Sequence, residues 1–317
     1  MCISEGHVKD NRKPWISYDE QIDLLRRRGM VIDDVDIALE ELRRVGYYRL
    51  SGYWRFFQHD PAFGDNRFRD GTRFSKIASL YRSDEQLREQ CGMAVAEVEV
   101  ALRTSFAHVI AERHGPYGVF LKADSYTQPP KRQVPVDQAI RDDLDRARQP
   151  FVVRHRADGY RQPPVWAVVD VLSLDTLSEA IDCIRDDQVR RGVAGTWGLR
   201  QMGFSSTVRS LAVLRNTCAH HSRLWNTVPP NLPDLGLKAA KIKRRWGQYD
   251  SQSMMPLLVG LATYCSAVSQ SDWFEESAQE LLAEGGHFSD GLRTPMPYAS
   301  AGSPVREGRR EAGLAQS

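Results

Sequence analysis

Residues 83–115 read SDEQLREQCGMAVAEVEVALRTSFAHVIAERHG, and this stretch decides the fold class. Ser83 with Gln86 marks a capped helix start. Leu87, Cys91, Val95, Val98, Leu102, Phe106 and Val109 then recur at steps of three and four, the period of one helix face. Gly115 and Pro116 end the pattern. A helix of about 30 residues is roughly 45 Å long. An apolar stripe of that length requires partner helices of similar length, which predicts an all-α bundle.

Helix signals continue on both sides. Upstream, Ser17 with Glu20 forms a capping box, and the helix it opens stops at Gly29. A second helix follows Asp33 and ends at Gly46; Leu50, Tyr53, Trp54 and Phe57 space out a third. Residues 60–72 are rich in Gly, Asp and Asn and predict a loop or small hairpin. Downstream, helices are predicted at 138–148, 164–186, 205–221 and 252–284. From 285 the chain is rich in Gly, Ser and Arg, the composition of a disordered tail. The reading is an N-terminal helical module at 1–60, a bundle at 61–284 and a tail at 285–317.

Composition narrows the function classes. Of 317 residues, 43 are Lys or Arg and 41 are Asp or Glu, a net charge of +2. Near-balance neither demands nor excludes nucleic acid, so only local clustering informs that question. The polar stretch 1–13 has no secretory signal core. The apolar run 254–268 is too short to span a bilayer and contains Pro256. Cys2, Cys91, Cys183, Cys218 and Cys265 are odd in number and lack metal-ligand spacing. These features predict a cytoplasmic protein with reduced thiols, no membrane contact and no metal or other cofactor.

The chemistry concentrates in 214–221, LRNTCAHH. On a helix, Leu211, Leu214 and Cys218 face the core. Counting from Arg215, Asn216 lies at about 100° and His220 at about 140°, so the three share the flank away from the core. Asn216 and His220 are an i, i+4 pair. An imidazole can exchange a proton with a ribose hydroxyl, and a guanidinium can grip a phosphate. The amide can orient either. That set suits metal-free cleavage of an RNA phosphodiester to a 2′,3′-cyclic phosphate, with Arg215 and His220 catalytic and Asn216 supporting. The same three residue types also occur together in helices that catalyse nothing. His220 and His221 diverge by about 100°, which disfavours a shared zinc ion, and Cys218 sits on the apolar side. One helix offers one Arg and one His, whereas in-line displacement draws on both sides of the phosphorus. A two-fold homodimer with a composite site is therefore predicted.

Three blocks resemble the Abi-like abortive-infection family (AbiD/AbiF type), whose core is a HEPN fold. They are 13–53, with KPWISYDEQ and GYYRLSGY; 98–104, VEVALRT; and 214–226, LRNTCAHHSRLWN. A weaker block lies at 164–178. The resemblance implies a HEPN-type helical bundle and a HEPN endoribonuclease of phage defence, abortive-infection or toxin-like. It maps the family's Arg–His motif onto Arg215 and His220. It also implies an RNA substrate and, for some members, a small noncoding RNA inhibitor. Asp170 stands where relatives tend to have Glu, and Asp175 where they tend to have Gly.

Other residues carry two readings each. Glu99 and Arg103 are either a simple i, i+4 ion pair or a brace beside Arg215 and His220; His221 is a further supporting candidate. Arg223 and Asn226 can extend a phosphate-binding surface. Lys238, Lys241, Lys243, Arg244 and Arg245, with Trp246 and Tyr249, form the densest basic patch. It is either an RNA contact or a solvated helix face. Arg26–Arg28 and the aromatics of 47–57 are a second such surface, or core. The alternative to catalysis is a non-catalytic RNA-binding or regulatory HEPN protein; an interaction scaffold is the third reading.

Overall fold

The computed structural model describes residues 14–127, 134–158, 163–235 and 239–296. Apart from one small hairpin, these residues are mostly helical. The chain divides into two compact units at Arg82/Ser83.

The first unit opens with α1 (Tyr18–Arg27). The Ser17 hydroxyl accepts from the Glu20 N–H at 3.2 Å, and the Glu20 carboxylate accepts from the Ser17 N–H at 2.6 Å. This reciprocal capping box satisfies two otherwise orphaned donors. Asp34 caps α2 (Val35–Arg44), and α3 (Tyr47–Trp54) follows. Ile22, Leu25, Leu42, Leu50 and Trp54 are buried together with Tyr53. The aromatics of 47–57 thus split: Tyr53, Trp54 and Phe57 are core, whereas Tyr48 is 91% exposed. Residues 58–68 form the hairpin: β1 (Gln58–Asp60) pairs antiparallel with β2 (Asp65–Phe68).

The stretch that decides the fold is α4 (Phe74–His114). It begins nine residues before Ser83, and the unit division falls inside it. All seven positions of its apolar stripe, Leu87 to Val109, are buried. In the second unit α5 (Val136–Arg146), α6 (Pro150–Ala157), α7 (Val165–Val169), α8 (Leu174–Cys183) and α9 (Asp187–Thr196) follow. Then come α10 (Phe204–Ala219), α11 (Ala239–Trp246), α12 (Met255–Ser269), α13 (Trp273–Ala283) and α14 (Gly286–Arg293). The helix α10 packs on α8 and α12, with Phe204 stacked on Tyr264 at 5.7 Å. No helix among the described residues is long and apolar enough to cross a membrane.

Three expectations change. The helix expected at 164–186 is two, α7 and α8. Ser173 caps α8 through the Thr176 N–H at 3.1 Å, and Asp143 of α5 accepts the Ser173 N–H at 2.9 Å. That second bond comes from 30 residues away, so the break does not show in the local apolar pattern. The helix expected at 252–284 is also two, separated by Gln270 in the left-handed region at φ +56°. The tail expected to begin at 285 is structured at its start: α14 buries Phe288 and Leu292. Trp225 donates from Nε1 to the His287 carbonyl at 2.7 Å, and a Cβ on Gly291 would lie 2.1 Å from that nitrogen. The glycine that makes this segment look disordered is there to admit an indole. The remainder of the tail, from 297, lies outside the described residues.

Candidate active site at the end of α10

Helix α10 starts where Gly203 adopts φ +76°, a conformation that costs any side-chain-bearing residue about 1–2 kcal/mol. Its inner face buries Val208, Leu211, Leu214 and Cys218. The helix closes in a Schellman motif. The Ser222 N–H donates to the Thr217 carbonyl and the His221 N–H to the Cys218 carbonyl, both at 2.9 Å. His220 is the C-cap residue, and its N–H still reaches the Asn216 carbonyl at 3.0 Å. His221 occupies the left-handed position at φ +51°, where glycine is usual. Both imidazoles are exposed.

The Arg215 guanidinium is held from two sides. Its Nε lies 3.8 Å from Glu99 Oε2, and its Nη1 donates to Asn216 Oδ1 at 3.1 Å. Asn216 in turn donates from Nδ2 to Asp175 Oδ2 at 2.7 Å. Arg103 donates to Glu99 Oε1 and to the Val169 carbonyl at the end of α7. Residues from α4, α7, α8 and α10 are therefore linked in one network, in which the Arg215 guanidinium itself meets Glu99 of α4 and Asn216 of α10. Asn216 orients Arg215 and is engaged with Asp175, so its amide is turned to the guanidinium and the carboxylate. A cleft of about 460 Å³ opens beside this network between α4 and α10. Arg215, Glu99 and His221 line it.

The segment after the motif is an anchor. The carboxylate of Asp84, fully buried on α4, accepts from the Trp225 N–H at 2.9 Å and the Leu224 N–H at 3.3 Å. It also pairs with Arg88, which is 4% exposed. Arg223 is half-buried. Asn226 is fully buried: its Oδ1 accepts the Met296 N–H at 2.6 Å and its Nδ2 donates to the Met296 carbonyl at 3.2 Å. In the basic patch, Lys238 lies outside the described residues, as do the side chains of Lys241 and Lys243. Arg244 is exposed, whereas Arg245 is ion-paired with Asp272 at 2.9 Å and with Glu275.

The structure thus brings Arg215, Asn216, Glu99 and Arg103 into one network, with His220 and His221 on the turn that follows. It sets Asn226 and Arg245 into other bonds. Two residues escaped the sequence reading. Asp175 had shown itself only as a departure from its relatives, and Asp84 had not been singled out. Their partners, 41 and about 140 positions away, carry no local signal.

The arrangement defines a helical-bundle protein whose motif helix ends in an Arg–Asn pair followed by two histidines. The chain belongs to the Abi-like protein family, whose model matches residues 40–226, more than half of its length. That match starts within α2 and ends at Asn226, so the Ser17 capping box lies outside it. No curated protein and no solved structure matches the chain.

Proposed function

We propose that this protein is a metal-independent endoribonuclease of bacterial phage defence. One observation carries the reading: a guanidinium fixed from two sides, at Arg215, stands within two turns of an exposed imidazole at His220. Arg215 would hold the scissile phosphate and stabilise the charge that builds on its oxygens. His220 would move the proton. The ribose 2′-oxygen forms a bond to phosphorus as the bond to the 5′-oxygen breaks. The 2′-proton leaves to a base and the 5′-oxygen gains a proton. The products are a 2′,3′-cyclic phosphate and a free 5′-hydroxyl.

Each α10 supplies one such Arg and one His, so the reading includes a homodimer in which two α10 ends face one phosphate. A small RNA inhibitor is compatible with the same surface. Membership of the Abi-like family supports the defence role.

The test is incubation of purified protein with mixed RNA in EDTA, comparing wild type with Arg215→Ala, His220→Ala and His221→Ala. Arg215→Ala and His220→Ala should each lower cleavage by about 100-fold or more. Cleavage undiminished in both overturns the assignment. RNA binding without cleavage by wild type freed of co-purifying RNA favours a binding protein instead.

A further inference from the structure

The cleft beside Arg215 lies in the size range of small-ligand sites, about 300–1,000 Å³. Small residues are part of its lining, Gly92 and Ala96 on α4 and Ala219 on α10. Gly92 is the informative one. A glycine inside a helix costs roughly 0.5–1 kcal/mol relative to alanine. Usual reasons for one are a left-handed backbone or a close neighbour. Gly92 has neither: it is helical, and a Cβ built on it meets nothing within 4 Å. Its missing side chain leaves open space on the cleft side of α4.

The wall on the α4 side carries Glu85 and Glu89, one helical turn apart, with Glu89 exposed. The neighbouring Arg88 is buried against Asp84, which offsets its charge. Ionised carboxylates only accept hydrogen bonds. A phosphate is repelled by such a wall and is drawn instead to Arg215 at the other end. A neutral, flat group with N–H donors is what this wall admits, and in single-stranded RNA that group is a base read on its Watson–Crick edge. Guanine alone presents two adjacent donors there, N1–H and the N2 amino group, which match the two oxygens of one carboxylate. Adenine, cytosine and uracil present a single donor group beside acceptors.

Resting on the ribonuclease reading, we infer that this cleft is a guanine-binding pocket adjoining the scissile phosphate, with Glu89 as the principal acceptor. It selects the RNA position that Arg215 then grips.

Two measurements test this. The first is binding of short fluorescent single-stranded RNAs to the His220→Ala protein, which needs no cleavage. An oligomer with one guanine should bind about tenfold tighter than the same oligomer with adenine. Inosine, which lacks the amino group, should fall between. Glu89→Gln should remove the difference. The second is end-sequencing of cleavage products, where wild-type cuts should cluster beside guanine. Gly92→Leu, which fills the cleft from an open position, should reduce cleavage at least tenfold without lowering the melting temperature. Equal binding of guanine and adenine oligomers overturns the pocket, whether or not the protein cleaves. A guanine preference that survives Glu89→Gln does the same. Conversion of a Gly92→Leu dimer to monomer overturns it too, since the cleft is then a seam between copies. A protein that prefers guanine in binding yet never cleaves overturns the ribonuclease reading alone.

Discussion

Arg215 and Asn226 are polar residues of one short run, yet their surroundings give them opposite tasks. Arg215 is 44% exposed and faces the cleft; Asn226 is wholly buried and clasps the backbone at Met296. Residue type alone made both candidates for phosphate contact. Burial separates them, and burial depends on α14, whose packing the glycine-rich composition concealed. Asn226→Ala should destabilise the fold by about 2 kcal/mol, because the Met296 N–H loses its acceptor inside the core. Urea unfolding measures this, and RNA affinity at a temperature where the variant is folded should be unchanged. A variant with weakened RNA binding and an unchanged unfolding midpoint would place Asn226 on the ligand. Arg215, Asn216 and His220 were legible because their spacing is helical. The bond from Asn216 to Asp175 was not, since it depends on how α8 lies against α10.

At the level of elements, long periodic segments were readable and breaks within apolar stretches were not. The stripe of α4 was evident from steps of three and four. The division of 164–186 into α7 and α8 depends on Asp143, a residue of another helix. The hairpin at 58–68 was legible only as a loop or small hairpin, since strands this short show little alternation. On β2, the Asp65 carboxylate accepts from Arg67 Nε at 2.9 Å and Nη2 at 2.7 Å. The hydrogen-bonded Arg67 guanidinium holds the Asp65 carboxyl down to about 2, below the ordinary 3.8. A carboxylate depressed on folding stabilises the fold above its ordinary range. That contribution is lost as pH falls from about 3.8 towards about 2. An NMR titration of Asp65 should therefore show a midpoint near 2, and an ordinary midpoint would mean the pair does not persist in solution.

At the scale of the whole molecule, a composite site makes a prediction that no single chain can fulfil. Arg215→Ala and His220→Ala proteins, each inactive, should regain part of the activity when mixed and allowed to exchange subunits. Such a dimer retains one arginine and one histidine on different chains. No recovery, with exchange verified by mass spectrometry, would confine the site to one chain. The general architecture was legible from one helix, because an apolar face of that length allows few solutions. The division inside α4 was not, because the helical period runs through it without interruption. Asp84 on α4 also holds the backbone that follows α10. Its carboxylate accepts hydrogen bonds from the Leu224 and Trp225 N–H groups within the protein interior. Those two amides belong to no helix or strand, and a chain segment of that kind ordinarily trades its protons with solvent within moments. Here they should be among the slowest in heavy water, released only when the second unit as a whole opens. The irregular segment that follows the histidines should, on that clock, be as durable as the core it leans on.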